Sequence, residues 1–163
     1  MAVRNVAPGV QSVGAIDWDR RLFEDLTPLP EGTSYNAFLV RGSEKVALID
    51  AVDPSMEMVL MTNLLRAGAD RIDYIVVNHA EQDHSGLVPL LLEMYAGAIV
   101  VTNKVCRDLL IRFHGIPDER FQVVADRETL SLGDKTLEFL ITPWVHWPDT
   151  MLTFLREERV LFS

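Results

Sequence analysis

The chain has 163 residues, 48% of them apolar and 24% charged, which excludes a disordered polymer and fits one domain or a piece of one. Acidic residues outnumber basic ones 24 to 15, for a formal charge of −9. Such a surface repels phosphate backbones and argues against nucleic-acid binding. A lone cysteine makes neither an internal disulfide nor a CxxC pair, residues 1–14 show no signal-peptide pattern, and no run approaches the ~20 apolar residues of a membrane-crossing helix. A reducing, cytoplasmic setting away from membranes is expected.

There is no internal repeat and no low-complexity segment. Residues 36–41 and 46–50 are short apolar runs joined by Gly42-Ser43-Glu44-Lys45, which predicts a β-hairpin. Pro54 opens a helix with Met58, Met61, Leu64 and Leu65 at helical spacing, ending near Gly68. Residues 72–77 read as a buried strand and 78–85 as a polar loop. A helix over 86–95 is closed by Gly97, and 98–102 forms another strand. Asn103 caps a helix carrying Val105, Leu109, Leu110 and Phe113 that stops at Gly115. Strands are then expected over 121–125, 129–132, 135–141, 150–155 and 159–162. The pattern suggests an α/β sandwich with helices packed outside. Since Ser163 falls within a strand pattern, the chain is expected to be a fragment of something longer.

The chemistry concentrates in His79-Ala80-Glu81-Gln82-Asp83-His84, directly after the strand at 72–77. In an extended stretch alternate side chains point the same way, so His79, Glu81 and Asp83 share a side, and His84 joins them if the chain turns at Ser85-Gly86. Two imidazoles and two carboxylates in so short a span suit two metal ions. A solvated acidic loop, with Asp83 capping the next helix, would need neither histidine. Mixed nitrogen and oxygen donors suit iron or manganese at least as well as zinc. His146, in a loop stiffened by Pro143, Trp144, Trp147 and Pro148, is a further candidate ligand; a packed aromatic–proline corner is the alternative.

A strand followed by His-x-Glu-x-Asp-His, with a later loop histidine, resembles the metallo-β-lactamase fold, an αββα sandwich. The hydrolases of that superfamily carry histidine where this chain has Glu81. That exchange, with Asn78 and Ser85-Gly86, resembles the flavodiiron proteins. So do Gly32-Thr33-Ser34-Tyr35-Asn36, Leu48-Ile49-Asp50 and the run from Pro143 to Met151 (Pro143-Trp144-Val145-His146-Trp147-Pro148-Asp149-Thr150-Met151). The resemblance spans essentially the whole chain.

It implies an oxidoreductase in which two irons reduce O2 to water or NO to N2O. Electrons come from FMN in a C-terminal flavodoxin-like domain, fed by a rubredoxin-like donor, in a head-to-tail homodimer. By position, His79, Glu81 and His146 would hold one iron, and Asp83 and His84 the other. Asp50 would brace the ligand loop, and Trp147 would face the partner subunit's flavin. Residues 1–163 would be the N-terminal part of the di-iron domain. A bridging carboxylate and a last histidine of the family pattern lie beyond Ser163, so the fragment alone is expected to be inactive. A binuclear zinc hydrolase and a metal-free interaction module are the alternatives.

Among the remaining residues, Tyr35 and Asn36 are expected to begin the first strand as structural residues, and Trp144 and Trp147 to pack in the core. His114 reads as a cationic helix C-cap, Cys106 as a buried inert thiol, and Lys104, Arg107 and Arg112 as a solvated face. The six methionines read as core filler.

Overall fold

The strand-forming runs assemble into two facing sheets. The computed structural model describes residues 3–23 and 25–163; Met1 and Ala2, where the signal-peptide reading begins, lie outside them, as does Glu24. The larger sheet has seven strands: β1 (Arg4–Ala7), β2 (Val10–Ser12), β7 (Phe38–Arg41), β8 (Val46–Ile49), β9 (Tyr74–Val76), β10 (Ile99–Thr102) and β11 (Phe121–Val123), in that spatial order. The pairs β8–β9, β9–β10 and β10–β11 are parallel, and β1–β2, β2–β7 and β7–β8 are antiparallel. An antiparallel sheet of β12 (Thr129–Ser131), β13 (Thr136–Ile141), β14 (Met151–Leu155) and β15 (Val160–Phe162) covers one face. The pairs β3 (Ala15–Asp17) with β6 (Thr33–Tyr35), and β4 (Leu22–Phe23) with β5 (Thr27–Pro28), flank them.

Alternation along the strands sorts two cores. Ala47, Ile49, Val76 and Val101 face the small sheet and pack with Leu137, Phe139, Met151 and Leu155. Leu48, Ile75 and Val100 face the helices. These are α1 (Glu57–Ala67), α3 (Val88–Met94) and α4 (Lys104–His114); the short α2 (Gln82–Ser85) lies in the loop that follows β9. Phe139 is fully buried between the sheets, where truncation to alanine costs about 3–5 kcal/mol. Three layers of the αββα sandwich, helix, sheet and sheet, are present among the described residues. No helix among them is long and apolar enough to cross a membrane.

Several expectations change. Six strands precede the one read as first, and Tyr35 ends β6. None exceeds four residues, too short for alternation to emerge from the sequence. The expected helix at 86–95 forms only over Val88–Met94, with Tyr95 rather than Gly97 closing it. On α1 the buried face is Leu60, Asn63 and Leu64. Met58 and Leu65 are exposed, as are Val105 and Phe113 on α4, and Met94 is exposed too, so the methionines are not uniformly core. Asn63 is tolerated inside because its amide donates to the Val13 and Gly14 carbonyls at 3.0 and 2.9 Å. Cys106 is buried, and burial pushes its thiol far above the usual range. Lys104 pairs with Asp108 at 2.8 Å and Arg107 Nε with Asp118 at 2.8 Å on the exposed face of α4.

Candidate metal centre

The site forms at the carboxyl ends of the parallel strands, where α/β sheets usually hold their ligands. β8 delivers Asp50, buried and held in the left-handed region at φ 54°. Its Oδ1 accepts the Asn78 main-chain N–H at 2.8 Å, and its Oδ2 accepts the Asn78 side-chain amide at 2.9 Å. Asn78 in turn accepts the Thr153 hydroxyl proton at 2.7 Å, and its carbonyl accepts the Met151 N–H at 2.9 Å. The residue that launches the ligand loop is therefore tied to β8 in one sheet and β14 in the other.

His79 follows, 2% exposed. Its Nδ1 lies 3.2 Å from Asp149 Oδ2, which also accepts the Ala80 N–H at 2.8 Å. A carboxylate at Nδ1 puts the proton there and leaves the Nε2 lone pair free. Burial alone would raise the Asp149 carboxyl, but the bonds from His79 and the Ala80 N–H hold it below the usual carboxylate range. His79 Nε2 is 3.1 Å from Glu81 Oε2, and His146 Nε2 is 3.4 Å from the same oxygen. One donor atom from each of His79, Glu81 and His146 falls within 4.8 Å of the others.

Asp83 and His84 come to the site differently from the expected alternation. Glu81 is the last extended residue, at φ −60° and ψ 151°, and helix α2 starts at Gln82. Only His79 and Glu81 are brought together by strand-like alternation; a helical turn carries the next two. Asp83 lies in the first turn of α2 and does not cap it: Glu81 holds the N-cap position, without a side-chain bond. His84 Nε2 is 3.9 Å from Asp83 Oδ2, His84 Nδ1 is 3.3 Å from Asp50 Oδ2, and the His79 and His84 ring centroids are 5.4 Å apart.

The electrostatics fit cations. Asp83 Oδ1 is buried without a hydrogen-bond partner, a cost of about 1–3 kcal/mol that a coordinated ion removes, whereas His84 Nδ1 faces Asp50 Oδ2. Burial, and then the charge on Glu81, push the Asp83 carboxyl above its usual range despite His84. Burial would lower His84, but the carboxylates of Asp50, Asp83 and Glu81 outweigh it and push the imidazole up to about 9. The cluster thus carries surplus negative charge.

The loop bearing His146 connects β13 to β14 and is closed by its own bonds. Thr142 N–H donates to the Thr150 carbonyl at 3.0 Å and Trp147 N–H to Thr150 Oγ1 at 3.1 Å. Trp147 is half-buried, edge-on to the His79 ring with centroids 5.3 Å apart. Trp144 is 74% exposed, not core as expected, because its loop turns outward there. Tyr35 and Asp83 line both of the cavities at this end. The larger, of 590 Å³, is also walled by Arg20, Phe113, His114 and Trp147; the smaller, of 360 Å³, by His79, His84 and His146. Burial, with Asp53 adding, raises the Tyr35 hydroxyl to about 12.

Sequence reasoning missed Asp149 and the second role of Asn103. Asn103 Oδ1 caps α4 through the Val105 and Cys106 N–H groups at 2.9 and 3.0 Å, while its Nδ2 donates to the Asp149 carbonyl at 2.6 Å. The usable signal is chemical: a ligating histidine wants a carboxylate on its other nitrogen, and Asp149 lies three residues after His146. His114 also differs from its reading. Burial lowers its pKa, so the ring at the end of α4 is neutral and not a cationic cap.

A family model described as ODP family beta lactamase matches residues 33–163. The chain is 41% identical to the coenzyme F420H2 oxidase of Methanothermobacter marburgensis, over 99% of this chain and 41% of that protein. It is 35% identical to the anaerobic nitric oxide reductase flavorubredoxin of Vibrio vulnificus, over 98% of this chain and 33% of that one. The crystal structure of the flavodiiron protein from Giardia intestinalis superposes with a TM-score of 0.91 at 33% identity, covering 100% of this chain and 40% of that one. The chain thus spans about two fifths of the length of the first of these relatives and less of the second.

Proposed function

Because this chain belongs to the ODP beta-lactamase family and, within it, to the flavodiiron proteins, we propose that it is the metal-holding portion of a cytoplasmic oxidoreductase that reduces O2 or NO. The observation that carries this reading is the convergence of His79, Glu81 and His146 on one point, with a carboxylate at the middle position. The family's cofactors are two irons and FMN, the irons belonging to this domain and the flavin to another. The donor set here fits: imidazole nitrogen, carboxylate oxygen, and a buried Asp83 oxygen left without a partner.

His79, Glu81 and His146 would hold one iron, and Asp83 and His84 would contribute to the second. When bound, an iron pair supplies single electrons to a diatomic molecule, which zinc cannot do. Asp149 fixes the His79 tautomer so that Nε2 is presented to the metal, and Asp50 holds Asn78 so that the loop leaves β9 in one direction. Trp147 covers the His79 ring, shields that side from water and presents an aromatic face beside the larger cavity, where a flavin carried by a partner subunit would approach. A rubredoxin-like donor and a head-to-tail homodimer complete the proposal.

The test is metal analysis after anaerobic incubation with ferrous iron and with zinc in separate samples, since zinc outcompetes ferrous iron in a mixture. Retained iron that is lost in Glu81→Ala supports the reading. Retained zinc alone would move the chain to the hydrolases of this fold. No metal at all would make it an interaction module.

A further inference from the structure

We propose that His114 is a positioning residue of the ligand loop, acting through Ser85 on the peptide that links His79 to Glu81. The proposal rests on the loop being the metal-holding loop. Ser85 is fully buried, and its Oγ lies 2.7 Å from the Ala80 carbonyl oxygen and 3.0 Å from His114 Nε2. A hydroxyl has one proton to give. The Ala80 carbonyl can only accept, so Ser85 donates to it and accepts Nε2–H from His114. That fixes the neutral ring's proton on Nε2 and leaves Nδ1 without one.

The other side of the same residue is held too, since the Ala80 N–H donates to Asp149 at 2.8 Å. Ala80 therefore has both main-chain polar groups anchored, its N–H by Asp149 from the loop between β13 and β14 and its carbonyl by Ser85, which His114 of α4 supports in turn. Ala80 is itself 1% exposed. The two residues flanking it, His79 and Glu81, are the pair whose donor atoms lie 3.1 Å apart. A rotation of the Ala80 peptide changes that separation directly.

Helix α4 is well built to hold the far end of this chain of bonds. Asn103 caps its start, and Gly115, at φ 65°, closes its last turn just after His114. The ring also forms part of the wall of the larger cavity beside Glu81 and Asp83, so the loop is braced from the side on which that cavity opens.

The test uses cobalt(II) alone as probe, read by its affinity and its ligand-field absorption spectrum, alongside thermal melting. His114→Phe keeps the ring volume and removes the donor; it is expected to weaken cobalt binding about tenfold and shift the spectrum. His114→Gln can donate an amide N–H to Ser85 and is expected to restore much of both. Ser85→Ala is expected to reproduce the His114→Phe defect, and the double variant to add nothing further, because both break one chain of bonds. Unchanged affinity and spectrum in His114→Phe, a His114→Gln variant as defective as phenylalanine, or additive losses in the double variant would each overturn the proposal. Wild-type protein that takes up no cobalt would overturn the metal reading beneath it instead.

Discussion

Asp149 Oδ2 accepts from His79 Nδ1 at 3.2 Å and from the Ala80 N–H at 2.8 Å, so one buried oxygen orients both a candidate ligand and the peptide after it. Asp149→Asn keeps the shape and removes the charge. It is expected to weaken metal binding by about 10–100-fold, measured by chelator competition. Asp149→Ala leaves two buried donors unpaired and is expected to cost about 2–4 kcal/mol in urea unfolding.

Glu81 Oε2 is near both His79 and His146, at 3.1 and 3.4 Å. Glu81→Ala and His146→Ala are each expected to weaken the first ion's binding by more than about 100-fold, since a direct ligand outweighs an outer-shell partner. Asp83→Ala, from the neighbouring helical turn, is expected to spare that ion and reduce the metal-to-protein ratio only where a second ion binds. Equal losses in all three, by metal analysis, would contradict this division.

Asp50 serves Asn78 with both oxygens and has a positive φ. Asp50→Ala removes both acceptors and places a residue less suited to that conformation, with an expected loss of about 2–4 kcal/mol. Asp50→Asn keeps an acceptor for the Asn78 main-chain N–H and should lose less. Urea midpoints of the two variants give the ordering.

His114 predicts a pH dependence of stability. Burial lowers its folded-state pKa below the ordinary 6.5. As pH falls below 6.5, the unfolded chain binds a proton that the folded ring still refuses, so stability declines with acidification. Above that range neither state is protonated and the ring contributes no slope. Comparing urea midpoints at pH 7.5 and pH 5.5, His114→Gln should lose less on acidification than wild type.

The parts of the fold legible in the sequence were those with long local signals. The hairpin at β7 and β8, the Pro54 and Asn103 helix starts and the Gly68 and Gly115 stops all depend on nearest neighbours, and the structure contains them. The short N-terminal strands are harder to read: β2 pairs with β7 and β6 with β3, partners distant in sequence, and the local pairs β1–β2 and β4–β5 are too short for alternation to show. At the site, donor chemistry marked His79, Glu81, Asp83, His84 and His146 at once. The resemblance points to Asp50 as a brace, but Asp149 and His114 were hidden because each acts across the fold, Asp149 over 70 residues and His114 over 29. Helix α2 was hidden because Glu81 enters it without a capping side-chain bond.

Asn78 and His79 leave the larger sheet, while Thr153, Asp149 and His146 come from the smaller one. An ion gripped by Glu81, His79 and His146 would therefore act as a clasp across the seam between the two halves of the sandwich. At a free concentration a hundred times its dissociation constant, such an ion adds about 2.7 kcal/mol to folding stability. Loading and cohesion would then become one variable: a protein starved of that ion would also be looser in its architecture, and its first opening is expected to be the parting of the sheets at the ends that carry His79 and His146.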